Sequence, residues 1–176
     1  RDHLPGQLML LQQGGVQHFV TADDRELMMP PLAEMIQAHA MLLCGGDHWA
    51  NLLQWIGYAL GMIAVSLLAR ELGASGRGQW LAAFIFATLP MAYLEASSAK
   101  NDLLVAVWLA VFTWSALRLM RPGHPPTSDW LAAGAALGLA LATKTTAFIF
   151  GAPVVVLLVP IALRHIPGAR VLTAAT

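Results

Sequence analysis

An almost unbroken apolar run extends from Trp130 to Leu163, interrupted only by Thr143, Lys144, Thr145 and Thr146. One straight helix of that length would reach ~50 Å, at ~1.5 Å per residue, against a bilayer hydrocarbon core of ~30 Å. The run therefore predicts two helices that turn back on each other at Lys144, the first of them short. The chain as a whole has the composition such a run needs. It is 57% hydrophobic and 11% charged, with a mean hydropathy of +0.62. Soluble domains carry roughly 25% charged residues, so there is too little polar side chain here to cover a water-facing globule. The fold class predicted is all-α, a polytopic membrane protein. A formal net charge of zero gives no field that would attract nucleic acid. The single cysteine, Cys44, excludes an internal disulfide and a cysteine-rich metal site.

Three further apolar segments precede the long run. Together the five predict transmembrane helices at about 49–69, 80–96, 103–118, 130–144 and 146–164, within a membrane region covering 49–176. Charge placement fits alternating passes. Arg70 and Arg77 fall between the first and second segments, Arg118 and Arg121 between the third and fourth, and Arg164 and Arg170 after the fifth. The opposite side holds most of the acids, among them Glu34, Asp47, Glu95 and Asp102. By the positive-inside rule the arginine loops are cytoplasmic and the acidic side is external. Trp49, Trp80 and Trp130 stand at predicted span ends, where amphipathic rings favour the headgroup layer.

Residues 1–48 read as an external loop. Gly14-Gly15 and Asp23-Asp24-Arg25 are loop signals. After Pro30-Pro31 the spacing of Leu32, Met35, Ile36, His39, Leu42 and Leu43 predicts a helix, ended by Gly45-Gly46. Glu34, Gln37 and Ala38 fall on its other face. This pattern predicts an amphipathic helix lying in the outer interface. The ordinary alternative is a short soluble helix in a loop. With Arg1 in place of a starting methionine and Thr176 just beyond an apolar segment, the chain reads as a piece of a longer membrane protein.

Asp102, in SSAKNDLLVA (Ser97 to Ala106), is the most informative single residue. A very short external turn puts its carboxylate near the hydrocarbon boundary, at a cost of about 1–3 kcal/mol. Lys100, Asn101 and the two serines are its nearest candidates for compensation. It reads either as a general base or metal-binding carboxylate at an external site, or as an acid favouring the N-terminus of the third span. Lys144 and Lys100 are the only lysines, and both fall on the acidic side. Lys144, set among threonines, is either a phosphate-holding ammonium or a snorkelling residue at a hairpin turn. Glu95, near the end of a span kinked by Pro90, either lines the same cavity or reaches interfacial water. His39 is an outer-side polar residue, and the six histidines show no metal-ligand spacing.

Taken in order, several strings resemble the family 39 type of membrane glycosyltransferases, the protein-mannosyltransferase-like group with GT-C architecture. They are HLP (His3 to Pro5), PPLAE (Pro30 to Glu34), GGDHWANLLQW (Gly45 to Trp55), RGQ (Arg77 to Gln79), ATLPMA (Ala87 to Ala92), SSAKNDLLVA, and LGLALATKTTA (Leu137 to Ala147). The resemblance implies transfer of a sugar from a polyprenyl-phosphate donor to a lipid, glycan or protein acceptor on the outer face of a membrane. A bacterial inner membrane with a periplasmic active face is the expected setting. The resemblance implies an acidic catalytic residue at Asp102 and donor-phosphate contacts at Lys144 and Lys100. Glu95, Glu34 and His39 become cavity-lining candidates. A divalent metal could assist the departing phosphate, though the sequence leaves that cofactor open. Similar sequences carry a first acid a few positions before the tyrosine of a YHLP string. Here Asp2 replaces the tyrosine, so that acid either lies upstream or is taken over by Asp2. The resemblance places the chain between the first external loop and about the sixth membrane helix, a portion expected to be inactive alone.

Two rival functions fit a membrane chain of this kind. A transporter or channel subunit would carry charges near mid-span, and inverted repeats. A non-catalytic assembly protein would leave the external lysines without a shared task.

Overall fold

The computed structural model describes residues 30, 32–45, 51–98, 100–123 and 125–165, with the backbone alone at Arg164 and His165. The described residues form seven helices and no strand. They are α1 (Leu32–Cys44), α2 (Leu52–Glu71), α3 (Gly76–Thr88), α4 (Pro90–Ala96), α5 (Asp102–Leu119), α6 (Thr127–Thr143) and α7 (Ala147–His165). Two of them, α2 and α5, are long and apolar enough to cross a membrane. The apolar stretch of α7, Ala147–Leu163, is shorter.

Local chemistry explains the breaks. Between α3 and α4 the chain is extended at Leu89 (φ −63°, ψ 118°), the conformation that a following proline imposes. Pro90 brings no N–H to the preceding turn, and the Tyr58 hydroxyl of α2 donates instead to the Ala87 carbonyl at 2.5 Å. In an apolar setting a carbonyl released by a break needs such a donor. Between α6 and α7 the helix ends at Thr143, and Lys144 is extended (φ −159°, ψ 136°). The long apolar run thus does divide at Lys144. α1 stops where Gly45 adopts φ +67°, a left-handed value that glycine takes without strain.

α5 is the central helix, packed mainly on α6 and α2 and more lightly on α7 and α4. Its contact with α6 is lined by Ala133, Ala136 and Ala140, all buried. Small side chains let two backbones approach closely, which is how helices gain dispersion energy where lipid removes the hydrophobic drive. Phe112, Ala116 and Leu119 of α5 meet Ala133, Ala136 and Leu158 in one cluster. On the other flank, Gly57 of α2 lies against Leu103 and Leu104, where an added Cβ would stand 3.3 Å from the Leu103 Cβ. One turn on, the Phe86 ring fills the notch at Gly61.

α1 meets the protein through the face that carries Gln37 and Ala38. Ala33, Gln37, Ala38 and Met41 are buried, whereas Ile36, Leu42 and Leu43 are exposed. The face read as polar is small enough to pack, and the bulky apolar stripe is turned outward, as for a helix whose other neighbour is lipid.

Candidate functional site

The turn from Ser97 to Asp102 is where the bundle's elements are tied together. The Asn51 side chain, just ahead of α2, donates to the Ser97 carbonyl at 3.0 Å. Gln37 of α1 donates to the Lys100 carbonyl at 3.4 Å. Asn101 donates to the Thr143 carbonyl at 3.4 Å, where α6 has ended and its last carbonyls have no helical partner. Asp102 then accepts an ion-paired hydrogen bond from the Lys144 ammonium. Three consecutive residues, 100 to 102, therefore reach α1, the end of α6 and the α6–α7 turn.

Asp102 and Lys144 are 42 residues apart in sequence. Their relative exposure is unusual within this molecule. The Asp102 side chain is 40% exposed and the Lys144 side chain 19%. In the other three ion pairs of the described residues the carboxylate is the more buried partner. At Asp102 the carboxylate instead faces outward, with the cation behind it. Asp102 also occupies the first turn of α5, where the helix dipole favours negative charge.

The residues nearest Asp102 in sequence pair elsewhere. Lys100 bonds Glu95 at 3.2 Å, and Ser98 donates to the Glu95 carboxylate at 3.2 Å and to the Glu95 carbonyl at 2.9 Å. Helix geometry explains the division. Lys100 lies before α5 begins and turns back toward the end of α4, whereas Asp102 is already helical and projects toward α6. Compensation for Asp102 comes from Lys144. Glu34 is part-buried in the first turn of α1, one turn from Gln37. His39 is exposed and spends its Nδ1–H on the Met35 carbonyl of its own helix at 2.7 Å. Asp2, the HLP string and His48 lie outside the described residues.

A layer of buried polar side chains, three amides and one hydroxyl, lies at this end of the bundle. Gln37, Gln54, Asn101 and Thr143 are all buried. Neither amide atom of Gln54 has a partner among the described residues, nor does the Asn101 Oδ1. Gln54 precedes Gly57 by one turn, and Gly57 abuts Leu103, so Gln54 stands near the level of the Ser97–Asp102 turn. The sequence offers little signal for Gln37, Asn51 and Gln54, each a lone amide within or just ahead of an apolar helix. Among the described residues no three His, Cys, Asp or Glu side chains form a metal-holding group.

The described residues form a helical bundle in which two helices are long and apolar enough to cross a membrane and a carboxylate–ammonium pair stands at one end. Residues 28–172 match the family model described as dolichyl-phosphate-mannose-protein mannosyltransferase. The chain belongs to this family, whose members are membrane glycosyltransferases of the GT-C type. No curated protein and no solved structure matches it.

Proposed function

We propose that this chain carries part of the active site of a glycosyltransferase that moves a sugar from a polyprenyl-phosphate donor to an acceptor at the external face of a membrane. Asp102 is the catalytic carboxylate and Lys144 the cation for the donor phosphate. The observation that carries this reading is the Asp102–Lys144 pair, with the carboxylate outward and the ammonium behind it. Family membership supplies the reaction class.

In the reaction, an acceptor hydroxyl oxygen attacks the anomeric carbon. The bond from that carbon to the phosphate oxygen breaks, and the electron pair leaves with the polyprenyl phosphate. Asp102 takes the hydroxyl proton. Lys144 neutralises charge growing on the phosphate. In the state described here the two groups hold each other. Arrival of the donor phosphate draws the ammonium away and leaves the carboxylate free to accept a proton. Lys100, paired with Glu95 at the same turn, is a second cation within this polar edge. Glu95 borders it through that pair, and Glu34 and His39 of α1 are its further cavity-lining candidates.

Five passes, α2, α3–α4, α5, α6 and α7, set the Ser97–Asp102 turn and Lys144 on the external side, with the arginine loops cytoplasmic. A transporter reading is disfavoured because the charges of α2 and α5 stand at their ends: Arg70 and Glu71 in one, Asp102 and Arg118 in the other. The test is Asp102→Asn in the intact protein, assayed for sugar transfer from a lipid-linked donor. Transfer is expected to fall by about 10²–10⁴-fold with normal expression. Unchanged turnover would remove Asp102 from the chemistry.

A further inference from the structure

The arginine end of the bundle carries a cavity that the proposed transfer reaction does not use. It has a volume of about 190 Å³ and lies where α5 ends and α6 begins, lined by Arg118, Arg121, Asp129 and the proline-rich loop between the helices. Arg118 gives its Nε–H to Asp129 at 3.0 Å and lies over the Trp114 ring at 5.0 Å. A guanidinium has five N–H donors, so that hydrogen bond leaves donors for another acceptor. Arg121 pairs with Glu71, yet its side chain stays 59% exposed. Each guanidinium is paired with one carboxylate, Arg118 with Asp129 and Arg121 with Glu71, so what the lining offers is exposed N–H donors and not net charge. α6 also starts here, at Pro126, without a side-chain cap, so its first N–H groups add partial positive charge.

A second groove, of about 250 Å³ and almost wholly apolar, runs between α5, α6 and α7. Phe112, Trp130, Ala133, Gly134, Leu137 and Leu158 are among its walls. The two spaces share one helix face. Pro126 and Asp129 line the charged cavity, and Trp130, Ala133, Gly134 and Leu137 line the apolar groove. These positions follow the i, i+3, i+4, i+7, i+8, i+11 pattern of a single stripe, rising ~16 Å along α6. Guanidinium donors above an apolar furrow have the chemistry of one ligand class.

We propose that this stripe seats an anionic glycerophospholipid from the leaflet at the arginine end. Its phosphate rests against Arg118, Arg121 and the start of α6, and one acyl chain lies along Ala133, Gly134 and Leu137. Asp102 and Lys144 stand at the opposite end of the same helices, so this lipid is separate from the sugar donor. Its role is structural: it fills the space between α6 and α7, which touch only lightly.

The test is lipid retention by the delipidated intact protein in nanodiscs of phosphatidylcholine with and without phosphatidylglycerol, read by native mass spectrometry. Phosphatidylglycerol should be retained in preference to phosphatidylcholine, and Arg121→Gln should cut that preference about fivefold, the effect of one basic residue at a lipid surface. Gly134→Leu should weaken retention of the anionic lipid about tenfold by filling the groove. A Cβ at Gly134 meets nothing within 4 Å, so that variant tests the site without depending on the ion pairs. Equal retention of the two lipids, or full retention in Gly134→Leu, would overturn the proposal. So would displacement of the bound lipid by inorganic phosphate alone, which would mark a free-anion site.

Discussion

The two ends of the bundle are both held by ion pairs, but one pair, Asp102–Lys144, is built the opposite way round from the rest. At the arginine end, Arg121 bridges to Glu71, whose side chain is only 2% exposed, and Arg118 bridges to the largely buried Asp129. These pairs join the end of α5 to α2 and α6. The acids are inside and the long cationic side chains cover them, as clamps between helices should be arranged. At the other end Lys100 covers Glu95 in the same manner. Asp102 and Lys144 reverse it. A carboxylate left outward while its cation sits behind gains little as a clamp, because an exposed charge is already solvated. That exposure is what the proposed role of Asp102 requires.

That contrast can be broken by mutation. The largest effect is expected at Asp102, where Asp102→Asn should cost about 10²–10⁴-fold in transfer rate with little change in the thermal unfolding midpoint. Lys144→Ala should follow, lowering turnover by about 10²–10³-fold if it stabilises the departing phosphate, and Lys144→Arg should recover part of that loss. At the clamp end the effect should move from rate to stability. Arg121→Ala leaves the Glu71 carboxylate buried without its cation and should destabilise the fold by about 1–3 kcal/mol, reduced from a fully buried pair by the exposure of Arg121. Turnover per folded molecule should hold, which thermal unfolding and a rate assay on one preparation would check. Lys100→Ala should be smallest in stability, within about 1 kcal/mol. A turnover loss as large as that of Asp102→Asn would give Lys100 a place in the chemistry.

The helical architecture is legible in the sequence because apolar runs of this length leave little else to form. Breaks at Pro90, Lys144 and Gly45 are legible for local reasons: a missing N–H, a polar cluster inside an apolar run and a left-handed turn. The partner of Asp102 is not legible locally. Lys100 is two residues away and pairs with Glu95, while Lys144 reaches Asp102 only because α5 and α6 pack side by side. Which face of α1 touches protein is not legible from spacing either. Hydrophobic spacing marks the face that avoids water, and beside lipid that face need not be the one that touches protein. The burial of the amides Gln37 and Gln54 is not legible, since a single polar residue on an apolar helix commonly remains at the surface.

The central claim is that Asp102 and Lys144 hold separate chemical duties and are more than a strut between helices. It is tested most directly by exchanging them, with Asp102→Lys and Lys144→Asp combined in the intact protein. The exchange keeps an ion pair across the same two elements, so the unfolding midpoint should stay close to that of the parent while sugar transfer is lost. Recovery of transfer together with stability would show that only the bridge matters, and would contradict the assignment.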